Sequence, residues 1–299
     1  MLRVSTNFVT NTAIADLRRL SDEQARLHQN IATGRRLLKP SDDPAAASRV
    51  INRQMEQERV SNYQSAASMA KSRSESSLTA LTQMQKIASR ISELTSLSAG
   101  AGAQNMAAYG AEVSQLLEQA TNVANSRFGA DYLFAGTAVD AQPYTATRDA
   151  AGAITNVAYA GNDQDATVSM GDGRAIAPSP GAATTNPEIA AFLNNIVTLR
   201  DAMATGDSTT VKSMNATMST NEDTFINAIG TVAAVQTRID SNQAQLTGRA
   251  DDLQRLISQD ADADMATSMI RLTETQTAYQ AALSSTANLF KLSLLDYLK

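Results

Sequence analysis

Apolar residues recur at helical spacing over most of this chain and at strand-like spacing over one short middle stretch. Ala13, Leu17, Leu20, Gln24, Leu27 and Ile31 are spaced 4, 3, 4, 3, 4, a heptad-like seam on one helix face. Gly34 follows where a helix C-cap would sit. The loop Lys39-Pro40-Ser41-Asp42-Asp43-Pro44 then offers side-chain acceptors for the free N–H groups of a new helix, and a proline suited to its first turn. From Ala45 to Ala99 there is neither Gly nor Pro, so a continuous helix of roughly 80 Å is expected at 1.5 Å per residue. Leu78, Leu81, Met84, Ile87, Ile91 and Leu94 give its later half an apolar face. After Gly100 and Gly102 the pattern predicts another helix through Val113, Leu116, Leu117, Ala120, Val123 and Phe128.

Residues 137–187 differ. They hold every Pro except Pro40 and Pro44, and short β-type runs at 143–145, 154–159 and 167–170 separated by turn residues. Gly171-Asp172-Gly173 reads as a hairpin turn before 174–176. Helical pattern returns at Asn186-Pro187-Glu188, with Ile189, Phe192, Leu193, Ile196 and Leu199 on one face. Beyond the turn at Gly206-Asp207 it runs from about Thr209 to the end, with Gly230 and Gly248 as weak points. Its last part carries Met265, Met269, Leu272, Gln276, Tyr279, Leu283, Thr286 and Phe290, again alternating 4 and 3. Seams containing Gln24, Gln276 and Thr286 are weak alone and gain from a partner helix, most simply each other. Leu17, Leu20, Leu27 and Ile31 are therefore expected to pack against Met269, Leu272, Tyr279, Leu283 and Phe290, with Leu294, Leu295 and Leu298 extending the contact. The expected fold is mainly α with a β-rich insert: a discontinuous long-helix coiled-coil and bundle domain formed by both chain ends, plus a small β domain mid-chain. Residues 1–40 and 257–299 would be terminal coiled-coil helices, 41–136 and 188–256 a long helical bundle, and 137–187 a separable insert.

Composition sharpens this picture. Of the 299 residues 43% are hydrophobic but only 4% aromatic, with no Trp, so the core must be aliphatic, which suits long helices. The chain contains no Cys, which excludes disulfides, zinc–thiolate sites and thiol nucleophiles, and its single His28 removes His-rich metal sites. Residues 1–99 hold 14 Lys and Arg against 9 Asp and Glu, whereas the remainder is acidic, so the two parts can attract each other within or between chains. Scattered basic residues, a pI near 5.0 and no aromatic platform argue against nucleic acid. No run approaches the roughly 18 apolar residues of a membrane span. The N-terminus lacks the apolar run of a cleaved signal peptide.

Candidate chemistry is thin. Asp260, Asp262 and Asp264 have calcium-loop spacing, but an EF-hand would need Gly at Met265 and Glu at Arg271, so acidic residues at a helix start explain them better. Asp42-Asp43 reads as capping, His28 as a surface residue, and no Ser or Thr sits in a nucleophile elbow. No catalytic residue, cofactor or metal is expected.

Ser5-Thr6-Asn7, then Ala32-Thr33-Gly34-Arg35-Arg36-Leu37 running into Lys39-Pro40-Ser41-Asp42-Asp43-Pro44-Ala45-Ala46-Ala47, closely resembles the N-terminal signature of the bacterial flagellin superfamily. The Pro-Ser-Asp-Asp-Pro form is similar to that of its hook–filament junction members, where filament flagellins more often carry Lys/Arg-Asp-Asp-Ala-Ala. Tyr132-Leu133-Phe134-Ala135-Gly136-Thr137, followed by Gln142-Pro143-Tyr144, resembles their step into a β domain, and Leu292-Ser293-Leu294-Leu295-Asp296-Tyr297-Leu298 their terminal helix. The resemblance implies a structural adaptor of the extracellular flagellum, exported unfolded with the help of a chaperone and self-assembling into a ring or helical layer. It would contact hook-associated protein 1 on one side and flagellin on the other. A filament flagellin is the alternative within the superfamily. A secreted helical translocator or effector is disfavoured because residues 45–99 are too polar for membrane insertion, and an enzyme ranks last.

Overall fold

The computed structural model describes the backbone of residues 3–171 and 173–297, and their side chains apart from 3–7, 9–10, 103 and 289–297. Among these residues the helices are α1 (Arg3–Thr33), α2 (Pro44–Ser98), α3 (Ala103–Ala124), α4 (Thr185–Thr205), α5 (Ser208–Ala261) and α6 (Met265–Tyr297). Between α3 and α4 lie three two-stranded antiparallel sheets: β1 (Arg127–Phe128) with β2 (Asp131–Tyr132), β3 (Tyr144–Arg148) with β4 (Ile154–Tyr159), and β5 (Val168–Ser169) with β6 (Ala175–Ile176). The fold is mainly α with a β-rich insert.

Local chemistry sets the boundaries. Gly34, at φ +68°, ends α1 in the left-handed conformation that a glycine adopts without strain. Asp43 Oδ1 accepts the Ala46 N–H at 2.9 Å and Pro44 opens α2, which then runs unbroken for 55 residues. The C-terminal helical stretch passes through Gly230 and Gly248 and breaks instead at 262–264, where Asp264 accepts the Thr267 N–H and hydroxyl at 3.2 and 2.8 Å. Phe128, expected in α3, lies in β1. The helix stops because the Asn125 side chain turns to strand β3: its Oδ1 accepts the Tyr144 N–H at 3.1 Å and its Nδ2 donates to the Tyr144 carbonyl at 2.9 Å.

The chain divides into two compact units, Met1–Arg59 with Arg249–Lys299, and Val60–Gly248. Within the second, Gln243 meets Ser68, Asp240 meets Lys71, Glu222 meets Ser89 and Asn215 meets Ser96, so α2 and α5 run antiparallel in unbroken register. Against them pack α3 and α4, with Leu81, Met84, Ile91, Leu117, Leu193 and Phe225 at most 2% exposed. The rings of Phe192 and Phe225 meet edge-to-face at 5.0 Å.

The 137–187 stretch is not a separate unit. Tyr144, Ile154 and Val157 are buried in the same cluster as the α2–α5 side chains. The β3–β4 hairpin is also hydrogen-bonded on both outer edges by asparagine side chains. Asn125 takes the β3 side, while Asn194 on α4 accepts the Val157 N–H at 2.9 Å and donates to its carbonyl at 2.8 Å on the β4 side. A two-stranded hairpin is marginal alone in water, so these links tie its stability to the helices. Gly136, at φ +68°, lets the chain enter the insert: a Cβ there would stand 2.2 Å from Asn162 Oδ1, which accepts the Thr137 N–H.

Deleting residues 140–182 is therefore expected to lower the thermal midpoint of the remaining helices rather than leave it unchanged, as read by circular dichroism. Asn194→Ala, which strands the Val157 N–H and carbonyl, should cost about 1–3 kcal/mol in denaturant unfolding.

Candidate assembly interface

In the unit formed by Met1–Arg59 and Arg249–Lys299, the loop after α1 and the loop before α6 lock together. Arg36 N–H donates to the Ala261 carbonyl at 2.7 Å, Leu37 N–H to the same oxygen at 3.3 Å, and Ala263 N–H to the Gly34 carbonyl at 2.9 Å. Arg35 and Asp262 form an antiparallel bridge through their backbones. The Asp42 carboxylate folds the first loop on itself by accepting the Leu38 and Lys39 N–H groups at 3.1 and 2.8 Å. The Gly-Arg-Arg-Leu and Pro-Ser-Asp-Asp-Pro segments are thus two parts of one clasp.

Asp260 is its centre. Its carboxylate, 16% exposed, accepts two hydrogen bonds from Arg49 at 2.8 and 3.1 Å and another from Arg53, while its carbonyl accepts from Arg36 at 2.6 Å. Arg53 also donates to the Leu256 carbonyl at 2.7 Å. Arg49 and Arg53, one turn apart on α2, grip the last turn of α5. The hydrogen bonds from Arg49 outweigh desolvation and, with the lesser help of the Arg49 charge and of the Arg53 hydrogen bond and charge, hold the Asp260 carboxyl down from 3.8 to about 2. Asp260, expected with Asp262 and Asp264 at a helix start, lies instead at the end of α5. That role belongs to Asp264, and Asp262 and His28 are exposed. The usable signal for the clasp was Arg49-x-x-x-Arg53, an i,i+4 pair on one helix face.

Away from the clasp α1 and α6 pair antiparallel, since the end of α1 and the start of α6 both emerge from it. On α1, Leu27 is 5% exposed, and Ala13, Leu17, Leu20, Gln24 and Ile31 are half-buried. On α6 the contact is displaced. The side chains turned inward are Ser268, Leu272, Thr275, Tyr279, Ala282 and Thr286, a 4, 3, 4, 3, 4 ladder that shares only Leu272, Tyr279 and Thr286 with the apolar seam. Met269 and Leu283, expected to meet α1, are 54% and 44% exposed, as is much of Met265. Small residues win these places because they let the helices approach, and the Thr hydroxyls bond within their own helix: Thr275 to the Arg271 carbonyl and Thr286 to the Ala282 carbonyl, both at 2.7 Å. The side chains of Phe290, Leu294 and Leu295, and all of Leu298, lie outside the described residues. So the α6 seam spans two faces, one closed against α1 and one open along Met265, Met269 and Leu283.

Two outcomes follow. A depressed carboxyl stabilises fully above its unfolded value near 3.8 and loses that contribution as pH falls through about 2. The melting temperature of the wild type should therefore fall between about pH 4 and 2 more steeply than that of Asp260→Asn, which lacks the clasp charge at every pH. Leu27→Ala should cost about 2–5 kcal/mol in urea unfolding, and Met269→Ala no more than about 0.5 kcal/mol.

Comparison with known proteins places this geometry. A model of the bacterial flagellin N-terminal helical region matches residues 4–139, and one of the bacterial flagellin C-terminal helical region matches residues 211–298. The chain is 27% identical over 147 residues to flagellar hook-associated protein 3 of Salmonella typhimurium, a stretch covering 48% of this chain and 46% of that protein, so the match spans about half of the relative's length. Among solved structures it resembles Bacillus cereus FlgL, with TM-score 0.59 and 20% identity over 69% of this chain and 99% of the other. It also resembles a flagellar hook-associated protein from Vibrio parahaemolyticus, with TM-score 0.58 and 15% identity over 74% and 100%. These structures share the fold. With the two family models falling on the clasp and on both helices of the α1–α6 pair, the chain belongs to the bacterial flagellin family.

Proposed function

We propose that this chain is a non-enzymatic axial subunit of the bacterial flagellum that joins hook to filament by helix packing. The observation that carries the reading is the half-used α6 seam: one face pairs with α1, and Met265, Met269 and Leu283 are left for a neighbour. An apolar row without a partner among the described residues suits a subunit whose activity is assembly. The Pro-Ser-Asp-Asp-Pro clasp and the likeness to a hook-associated protein 3 favour the junction over the filament proper. In this role copies form a ring or helical layer between hook-associated protein 1 and flagellin, outside the cell, after export in the unfolded state with a chaperone. The matched helical regions are named for flagellin itself, which keeps a filament subunit as the second reading.

Removing the gene distinguishes the two. Cells lacking the junction subunit should still build hooks and secrete flagellin, but fail to retain filaments and lose motility. Met269→Ser with Leu283→Ser should be exported normally and restore less than about a tenth of the attached filaments, since each change recurs in every subunit. If removal abolishes the filament protein itself, with nothing secreted in its place, the chain is a flagellin.

A further inference from the structure

The β5–β6 hairpin is seated differently from β3–β4. Its strands have two residues each, and the loop that carries them is closed at its neck by Asp165. Asp165 Oδ1 accepts the Gly181 and Ala182 N–H groups at 3.0 and 2.8 Å. Beyond that neck Ser179 meets Ser77 on α2, and Arg174 donates to Gln245 on α5 at 2.8 Å. Among the described residues, no helix side chain clamps its strand edges as Asn125 and Asn194 clamp β3–β4. Met170 and Ile176, 1% and 8% exposed, are buried outside the cluster that takes in Tyr144, Ile154 and Val157. A small satellite of this kind holds a loop more weakly than a continuous core. Between the hairpin and α5 lies a cleft of about 570 Å³, lined by Met170, Ile176, Thr237, Ser241, Asn242 and Gln245. Asn242 is 8% exposed, and its Oδ1 is closed from solvent and accepts no hydrogen bond. A carbonyl oxygen enclosed without a donor raises the free energy of the seated hairpin, and lifting the hairpin gives it water.

We propose that residues 166–171 and 173–180 form a flap that lifts from α5 as one unit, pivoting at the Asp165 neck, while β3–β4 and the helices stay folded. Opening breaks the Arg174 and Ser179 hydrogen bonds and exposes Met170 and Ile176, but it also hydrates Asn242 Oδ1. The last gain offsets part of the loss, so the open form is populated far more often than the globally unfolded chain. The first hairpin cannot follow, because Tyr144 and Val157 are buried in the helical core and bonded to Asn125 and Asn194. The insert is thus split into a fixed half and a moving half. One chain presents two surface shapes over an unchanged helical frame.

Amide hydrogen exchange on the purified full-length chain tests this, because two amides form a matched pair. The Met170 N–H donates to the Arg174 carbonyl at 2.8 Å and the Val157 N–H to Asn194 Oδ1 at 2.9 Å, in residues 1% and 2% exposed. Burial and bonding alone assign them equal protection, whereas the flap makes Met170 at least about a hundredfold less protected. Ile91→Val weakens a core that is intact in both the open and the closed form. It should speed Val157 exchange by about threefold to tenfold and leave Met170 within about twofold. Asn242→Leu removes the enclosed oxygen and should slow Met170 exchange by about tenfold. Trypsin gives a second reading, since Arg174 is the one Lys or Arg between Arg148 and Arg200. The bond after Arg174 should be cut sooner than those after its two neighbours. Met170 and Val157 exchanging within about tenfold of each other, or speeding together in Ile91→Val, overturns the flap. Unchanged Met170 exchange in Asn242→Leu overturns the cause assigned to it. Circular dichroism reports whether that variant keeps its helices, and should it lose them, the wild-type and Ile91→Val comparisons decide.

Discussion

One carboxylate holds the terminal unit in register. Asp260 receives Arg49 and Arg53 from α2 on its side chain and Arg36 from the α1–α2 loop on its carbonyl. Remove that charge and two arginines are left facing a helix C-terminus, without the group that fixes which turn of α5 lies against which turn of α2. Helix pairs built from Ala, Ser, Thr and Met slide readily, because their interfaces lack large side chains that fit one register only. A multiply hydrogen-bonded ion pair is directional where such packing is not. The backbone bonds from Arg36, Leu37 and Ala263 then zip the two loops together around it.

The same principle, polar groups fixing what weak packing leaves loose, recurs in the other unit. There the asparagines Asn125 and Asn194 act as short strand edges, each offering one donor and one acceptor to the outer rim of a hairpin that has only two strands. Their bonds explain why the insert shares a core with the helices although its sequence reads as a separate module. Tyr144 adds a further tie to α4: its ring is buried, its hydroxyl donates to the Asn186 carbonyl at 2.9 Å, and its backbone pairs with Asn125.

The α1–α6 pair inverts the usual expectation that apolar side chains mark the inner face. Ser268, Thr275, Ala282 and Thr286 are inside, and Met269 and Leu283 are outside. Burial of a threonine costs little once its hydroxyl bonds to its own helix, whereas an exposed Met or Leu retains its full transfer energy for a partner outside the chain. A subunit that must fold enough to be recognised and yet hold apolar area in reserve can be built this way.

The sequence by itself determined the helical stretches and those boundaries that depend on neighbours a few residues apart, namely Gly34, Asp43-Pro44, the Gly- and Pro-free run to Ala99, and Gly206-Asp207, but not the end of α3 or the break between α5 and α6. It also determined the family, through segments whose residues serve the clasp. Only the tertiary structure decided which face of α6 turns inward, since a 4, 3 ladder of small residues and one of apolar residues lie side by side on the same helix and spacing alone favours the apolar one. It decided too that Asp260 rather than Asp262 or Asp264 is gripped, and that the hairpin belongs to the helical core. Each of these depends on residues about 20 to more than 200 positions away in the chain: Arg49 with Asp260, Asn194 with Val157, Asn125 with Tyr144. Such pairings leave no periodic trace, because a single hydrogen-bonding side chain satisfies its partner from any place in the sequence that folding brings near.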